Sequence, residues 1–144
     1  MKTHEFIEML EDDAIASAIG EAESVTSAEI RVFISRKNIK DPMAEAHKQF
    51  ARLGMDKTEM RTGMLIFVAP VAQVFCVAGD RGIHEHVGED FWRELASEME
   101  DSFKKEEFTE GIIRVILHAK DLLKECLPRQ ADDQNELPNK VERD

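Results

Sequence analysis

Residues 61–82 read RTGMLIFVAPVAQVFCVAGDRG, and this stretch determines the fold more than any other part of the chain. It contains two apolar runs, Met64–Ala69 and Val74–Ala78, separated by a turn that begins at Pro70. Two short apolar runs joined by a tight turn predict a β-hairpin whose strands are both largely buried. The rest of the chain must therefore supply further strands and the helices that cover this hairpin.

Helical and strand periodicities lie on both sides of the hairpin. Apolar residues recur every three or four positions over residues 4–22, which predicts a helix. Ile30, Val32 and Ile34 recur at every second position among Glu29, Arg31 and Ser35, which predicts a strand with one buried face. The pair Asp41-Pro42 is typical of a helix start, and Gly54 is placed to end that helix. Two more helices follow the hairpin, one over residues 91–103 and one that Pro128 ends.

The predicted order of elements is α-β-α-β-β-α-α, which indicates an α/β fold. We expect a three-layer α/β/α sandwich built on a small mixed β-sheet. The strand–helix–strand unit makes the first two strands parallel, and the hairpin makes the third antiparallel to the second. Residues 1–127 are predicted to form one domain. Residues 128–144 contain two prolines and few large apolar residues, so they are predicted to form a disordered acidic and polar tail.

Composition excludes several classes of partner. The chain has 144 residues and a formal net charge of -11, which argues against nucleic acid because phosphate binding needs a basic face. Its N-terminus lacks the apolar segment of a signal peptide, and no apolar run is long enough to span a membrane. A cytoplasmic location is therefore predicted.

The two cysteines, Cys76 and Cys126, are expected to be reduced. The sequence leaves the oligomeric state open.

The predicted topology brings three polar segments to one edge of the sheet: Ser24–Glu29, Asp56–Gly63 and Gly79–Asp90. Two parallel strands begin at this edge and the antiparallel strand ends there. Hard divalent cations such as Ca²⁺ take oxygen ligands from carboxylates and backbone carbonyls. Calcium or another divalent cation is therefore a candidate ligand, and no organic cofactor is expected. The candidate metal ligands are Glu29, Asp80, Glu85 and Asp90.

The same residues allow other interpretations. A solvated acidic loop, balanced by Arg61 and Arg81, explains the charges without any metal. His84-Glu85-His86 on an extended segment would point both imidazoles to one side, an arrangement that suits zinc. Phosphate-ester hydrolysis would use Asp80 or a bound metal, together with His84 or His86 and with Arg81 or Arg61. No P-loop, GxSxG or HExxH motif occurs, so the sequence does not decide whether the protein is an enzyme.

Several of these segments, in this order, resemble the TPM domain family, and the resemblance covers about residues 5–139. The matching stretches are TSAEIRV (26–32), FARLGMDKT (50–58), RTGMLIFVA (61–69), GDRGIHEHVG (79–88), EFTEGI (107–112) and NELPN (135–139). The resemblance implies an α/β/α sandwich, in agreement with the order of elements. It also implies several functions, since members are described as weak acid phosphatases, as calcium-binding proteins, or as accessory factors for membrane-protein assembly or repair.

Three hypotheses about function follow. In the first, the chain is a binding or accessory module with a divalent-cation site at the sheet edge. In the second, it is a weak acid phosphatase that uses the same acidic edge. In the third, it is a protein-interaction scaffold without a metal site, whose protein partner docks on a helix face or on the tail.

Overall fold

A computed structural model describes residues 11–58, 61–72, 74–130 and 141–144. Helices and strands alternate in the first half, and two long helices follow the hairpin. A short 3-10 helix, Met55–Lys57, lies between the second helix and the second strand. The elements are α1 (Asp12–Glu23), β1 (Glu29–Ile34), α2 (Pro42–Arg52), β2 (Gly63–Ala69), β3 (Val74–Gly79), α3 (Arg81–His84), α4 (Glu89–Lys104), α5 (Phe108–Cys126) and β4 (Val141–Arg143).

The four strands form one mixed sheet in the order β3-β2-β1-β4. Strands β1 and β2 are parallel, with Glu29 opposite Gly63 and Ile34 opposite Val68. Strands β2 and β3 are antiparallel, as expected for a hairpin. Both predicted strand pairings are therefore confirmed.

Strand β4 was not predicted. Its three residues lie within the segment for which the sequence predicts disorder, yet they pair in parallel with Val32–Ile34 of β1. A run of three residues with two charges carries no periodicity from which a strand is recognised. Pairing with the otherwise open edge of β1 stabilises this strand. The domain boundary at residue 127 stays a prediction.

Helices cover both faces of the sheet, which confirms the predicted α/β/α sandwich. On one face, α1, α4 and α5 pack against Ile30, Val32, Ile66 and their neighbours in a large apolar cluster. On the other face, α2 and Met55 pack against a smaller cluster that includes Phe33. The rings of Phe33 and Phe67 stack there with centroids 5.8 Å apart.

All six residues of β1 are buried, although the sequence predicted one buried face. The second face is also covered: Phe33 packs in the smaller apolar cluster with Ala46 and Phe50 of α2, and Arg31 is only 2% exposed. Alternation of charged and apolar residues indicates a solvated face only when nothing else covers that face. The prediction of a half-buried strand is therefore wrong.

The helix boundaries follow from local chemistry. The Asp41 carboxylate accepts a hydrogen bond from the Ala44 N–H at 3.1 Å and so caps α2, with Pro42 in the first turn. Gly54 adopts a φ of 75°, the left-handed conformation that glycine tolerates best. The first helix is described from Asp12, and the predicted residues 4–10 lie outside the described residues.

None of the helices that the structure describes is long and apolar enough to cross a membrane.

Gly79 at the end of β3 yields the first prediction. A Cβ atom at this position would lie 2.3 Å from the indole ring of Trp92, a contact that requires the ring to move. We expect Gly79→Ala to lower the free energy of unfolding by about 1–3 kcal/mol, as overpacking does. Gly88→Ala is the matched control, because no atom lies within 4 Å of its added Cβ. Urea denaturation of both variants would test this, and equal stabilities would contradict the contact.

Candidate functional site

The three segments predicted to converge do meet, and we call their meeting place the three-loop edge (residues 24–29, 56–58, 61–63 and 79–90). The Glu29 N–H donates to the Thr62 carbonyl at 2.9 Å, and the Thr62 hydroxyl donates to the Ser27 carbonyl at 3.1 Å. The Asp80 N–H donates to the Gly63 carbonyl at 2.9 Å. Backbone hydrogen bonds therefore connect all three segments, because each adjoins the end of a paired strand.

An ion pair between Arg61 and Asp80 closes the three-loop edge. The Arg61 Nε lies 2.7 Å from Asp80 Oδ2, with the arginine side chain 37% exposed and the aspartate 7%. Arg61 has a φ of 57°, which is rare for a residue other than glycine, and its carbonyl accepts the Gly82 N–H at 2.8 Å. The hydrogen bond to Asp80 raises the pKa of Arg61 further above its ordinary value. Hydrogen bonds hold both the side chain and the backbone carbonyl of Arg61. They indicate that the strained conformation of this residue is fixed by its surroundings.

Asp80 also begins a short helix that the sequence analysis did not predict. Its Oδ1 accepts the Arg81 N–H at 2.7 Å, so the carboxylate caps α3. The prediction that His84-Glu85-His86 forms an extended segment is wrong, since His84 ends this helix. The His84 ring instead packs against Trp92, with centroids 5.0 Å apart. Both histidines are exposed.

The structure places the four predicted metal ligands in different environments. Glu29 and Asp80 are buried at the three-loop edge, 6% and 8% exposed. Glu85 is exposed after α3, and Asp90 is exposed on α4, where it pairs with Arg93 at 3.0 Å. Within the described ranges, no three or more histidine, cysteine, aspartate or glutamate side chains form a group arranged to hold a metal ion. The metal assignment of these four residues stays a prediction.

Asp56 is a further carboxylate at this edge. Its Oδ1 is buried and accepts no hydrogen bond from any residue that the structure describes. Its charge contributes to the raised pKa of Arg61, which places it close to the Arg61–Asp80 pair. A buried carboxylate oxygen without a donor is costly unless a cation or a water completes its coordination.

Glu23 is a buried carboxylate that the sequence analysis missed. It ends α1, and its Oε2 accepts the Ile30 N–H at 2.8 Å at the edge of β1. Burial is the largest cause that raises its pKa, from 4.5 to about 7. The burial of Glu23 could nevertheless have been predicted from the sequence. It follows Ile15 and Ile19 at intervals of four residues, on the buried side of the helix.

A second polar cluster lies between α4 and α5 and begins at Asp90, the last residue of the third predicted segment. His118 Nδ1 lies 2.5 Å from Glu98 Oε2, and its Nε2 lies 3.5 Å from Glu94 Oε2. Together with Asp90 and Asp101 these residues line a surface cleft of about 510 Å³. The signal in the sequence is a row of acidic residues at helical spacing on α4, but only packing brings His118 to it.

The family model of the TPM domain matches this chain over residues 3–122. A comparison with curated proteins gives no significant match. Among solved structures, the chain is similar to the BA42 protein from the psychrophilic bacterium Bizionia argentinensis. Sequence identity is 34%, the TM-score is 0.88, and the match covers 94% of this chain and 96% of that one.

Two more distant structures share the fold. One is the N-terminal domain of the cg2496 protein from Corynebacterium glutamicum, at 12% identity and a TM-score of 0.60, with 77% of this chain and 70% of that chain covered. The other is the N-terminal domain of a protein from P. gingivalis, at 15% identity and a TM-score of 0.63, with 77% and 72% covered. At these identities the similarity concerns the fold alone.

The raised pKa of Glu23 predicts a specific dependence of stability on pH. The folded protein binds this proton more tightly than the unfolded chain, so the stabilisation is complete below pH 4.5 and is lost as the pH rises through about 7. This difference in pKa corresponds to at most about 3 kcal/mol. Glu23→Gln keeps an oxygen for the Ile30 N–H but cannot ionise. We therefore expect wild type to lose stability relative to this variant between pH 4.5 and 7.5.

Urea denaturation at several pH values measures this difference. Glu21→Gln is the matched control, since Glu21 is exposed on the same helix. Parallel pH curves for wild type and Glu23→Gln would contradict the burial of an ionisable group at this position.

Proposed function

This chain belongs to the TPM domain family, and on that premise we propose that it acts as a binding module whose three-loop edge takes up a divalent cation. The family membership follows from the match over residues 3–122. The edge is the part of the fold where carboxylates from separate loops come together with backbone groups. The proposal concerns Asp56 and Asp80 as direct ligands, with Glu29 beside them on β1.

The buried Oδ1 of Asp56 is the observation that carries the proposal. Among the described residues it has no hydrogen-bond donor, although burial makes such a state unfavourable. Calcium and other hard cations are bound by oxygen atoms of this kind, with water completing the coordination. A cation at Asp56 would compensate the desolvation that the fold imposes on this carboxylate.

Arg61 supplies the competing charge in the absence of a cation. Its guanidinium holds Asp80 Oδ2 at 2.7 Å, so a cation that binds Asp80 must displace it. Because the Arg61 side chain is 37% exposed, it has room to move into solvent. Arg61 therefore sets the affinity of the site: a guanidinium and a divalent cation compete for one carboxylate.

The exposed carboxylates of the predicted set contribute less in this proposal. Asp90 already pairs with Arg93, and Glu85 is the exposed C-cap residue of α3. Both are solvated, so a cation gains little by binding them. The net charge of -11 nevertheless raises the local concentration of cations around the whole surface.

Phosphate-ester hydrolysis is the second candidate function. It is favoured by a half-exposed guanidinium beside a buried carboxylate, since guanidinium groups bind phosphate oxygens well. Against it, both oxygens of Asp80 accept hydrogen bonds, which lowers the reactivity of the carboxylate as a nucleophile. The accessory role, the protein partner and the cytoplasmic location stay predictions from the sequence and the family.

A titration of metal-stripped protein with Ca²⁺, followed by amide NMR, tests the cation proposal. We expect saturable shifts at residues 56–58, 61–63 and 79–82. Asp56→Asn and Asp80→Asn should each weaken binding at least tenfold by removing a ligand charge, which corresponds to about 1.4 kcal/mol. Arg61→Gln should tighten it by roughly tenfold, because it removes the competing guanidinium.

Glu85→Gln and Asp90→Asn are the matched controls, and we expect both to bind Ca²⁺ as wild type does. Absence of saturable shifts, or shifts confined to Glu85 and Asp90, would refute the proposed site. The same variants decide the second candidate: hydrolysis of p-nitrophenyl phosphate that Asp80→Asn abolishes, in a variant that remains folded, would assign the edge to catalysis.

A further inference from the structure

Helices α4 and α5 pack against each other, and two adjoining clefts lie at the surface along them. The first cleft has a volume of about 350 Å³, and half-buried apolar groups of Val87, Leu122 and Cys126 line it. The second cleft, of about 510 Å³, is lined by polar side chains of α4 and by His118 of α5. Because Glu94 lines both clefts, they adjoin, and we call them together the α4–α5 groove.

Helical spacing places this groove on one face of each helix. Residues three or four positions apart lie on the same face of an α-helix. The groove face of α4 carries four carboxylates at such intervals, and the groove face of α5 carries apolar and acidic side chains beside a histidine. These residues are Asp90, Glu94, Glu98 and Asp101 on α4, and His118, Leu122, Glu125 and Cys126 on α5.

The α4–α5 groove is strongly acidic. Among the described residues that line it, five are carboxylates and Arg93 is the one arginine or lysine. Arg93 pairs with Asp90 at 3.0 Å, but both side chains are largely exposed, so this ion pair contributes little and separates easily. Glu94 lies 3.5 Å from Nε2 of His118, which carries a charge only when it is protonated. Carboxylates of the groove are therefore accessible to basic groups of another molecule.

The first cleft offers a place for an apolar side chain. Phe91 lines it together with the three half-buried residues named above. Gly88 lines it as well, and a Cβ atom at Gly88 would have no other atom within 4 Å. The cleft is therefore open at this point, and transfer of an apolar side chain from water into it is favourable.

We propose that the α4–α5 groove binds a basic peptide segment of a partner protein, in which an apolar side chain lies beside lysine or arginine residues. The apolar side chain enters the first cleft, and the basic side chains pair with the carboxylates of the second. Charge complementarity selects this occupant, because five carboxylates repel an acidic segment and a purely apolar segment leaves them without counter-charges. A concave groove along two helices suits a single segment of chain better than a flat surface.

This surface is separate from the proposed cation ligands. Neither Asp56 nor Asp80 lines the groove, and Arg61 does not line it either. Binding of the peptide segment therefore does not require a bound cation, and both proposals can be tested independently.

Titration of a fluorescein-labelled peptide, Lys-Arg-Leu-Leu-Arg-Lys, with the protein in EDTA tests the proposal. EDTA removes divalent cations, so the outcome does not depend on the cation site. We expect saturable binding with a Kd of about 0.1–1 mM, and substantial weakening at about 1 M salt, where charges are screened. The same peptide with serine in place of both leucines should bind roughly fivefold more weakly, because it lacks the apolar group. Equal binding of the two peptides, or no saturable binding of the leucine peptide, overturns the proposal.

A charge-reversal variant tests whether the peptide binds in the groove. Since Glu94 lines both clefts, we expect Glu94→Lys to weaken binding roughly tenfold. Glu100→Lys is the matched control, because Glu100 is exposed on the same helix, lines neither cleft and gives the same change in net charge. Equal weakening by both variants would indicate a general attraction to an acidic protein and would overturn the proposal.

A variant that fills the apolar cleft tests the position of the leucines. Gly88→Leu places an apolar side chain of the protein itself at the first cleft, and we expect it to weaken peptide binding roughly tenfold. Gly88→Ala adds a single methyl group and should bind as wild type does. Urea denaturation checks that both variants are folded, and a folded Gly88→Leu variant that binds as wild type does contradicts the proposal.

Alkylation of the cysteines gives the same information in the unmodified protein. Cys126 lines the first cleft, whereas Cys76 lies on β3 with its Sγ 3.6 Å from the Pro42 carbonyl oxygen. We expect saturating peptide to slow the alkylation of Cys126 by iodoacetamide and to leave the rate at Cys76 unchanged. An unchanged rate at Cys126 overturns the proposal, because the peptide would then lie outside the cleft.

Discussion

The complete burial of β1 is the constraint on which the rest of the structure depends. This strand has helices on both faces and a neighbouring strand on each side, so each of its backbone groups must find a partner inside the protein. Strand β2 satisfies one side through six paired positions. On the other side, Glu23 and β4 complete the pairing. A buried glutamate, a buried arginine and an added C-terminal strand all follow from this one requirement.

The three-loop edge follows from the same strand. Because β1 and β2 are parallel and β3 returns beside β2, the loop before β1, the loop before β2 and the loop after β3 must share one end of the sheet. Backbone hydrogen bonds hold these loops together, and the Arg61–Asp80 pair closes them. The result is a polar edge at which the Asp80 carboxylate accepts hydrogen bonds from Arg61 and from the Arg81 N–H.

Most of the fold was predictable because long periodic segments determine their own structure. The apolar runs of the hairpin, the cap at Asp41 and the spacing of the last two helices each predict an element that the structure contains. The convergence of three loops was predictable as well, since it depends only on strand direction. Predictions failed where packing overrides local pattern. Helix α3 forms because Asp80 caps it, and β4 forms because the edge of β1 is open to it.

The sequence by itself determined the order of elements, the directions of β1, β2 and β3, and the location of the polar edge, because periodicity and turn chemistry are local properties. Only the tertiary structure decided which charged side chains are buried away from water. Arg31 and Glu23 look like surface residues in the sequence, yet they are only 2% and 5% exposed in the folded protein. Asp80 looks like a free ligand, yet it is committed to Arg61 and to α3. Burial and pairing are decided by residues distant along the chain, and for that reason no local pattern reveals them.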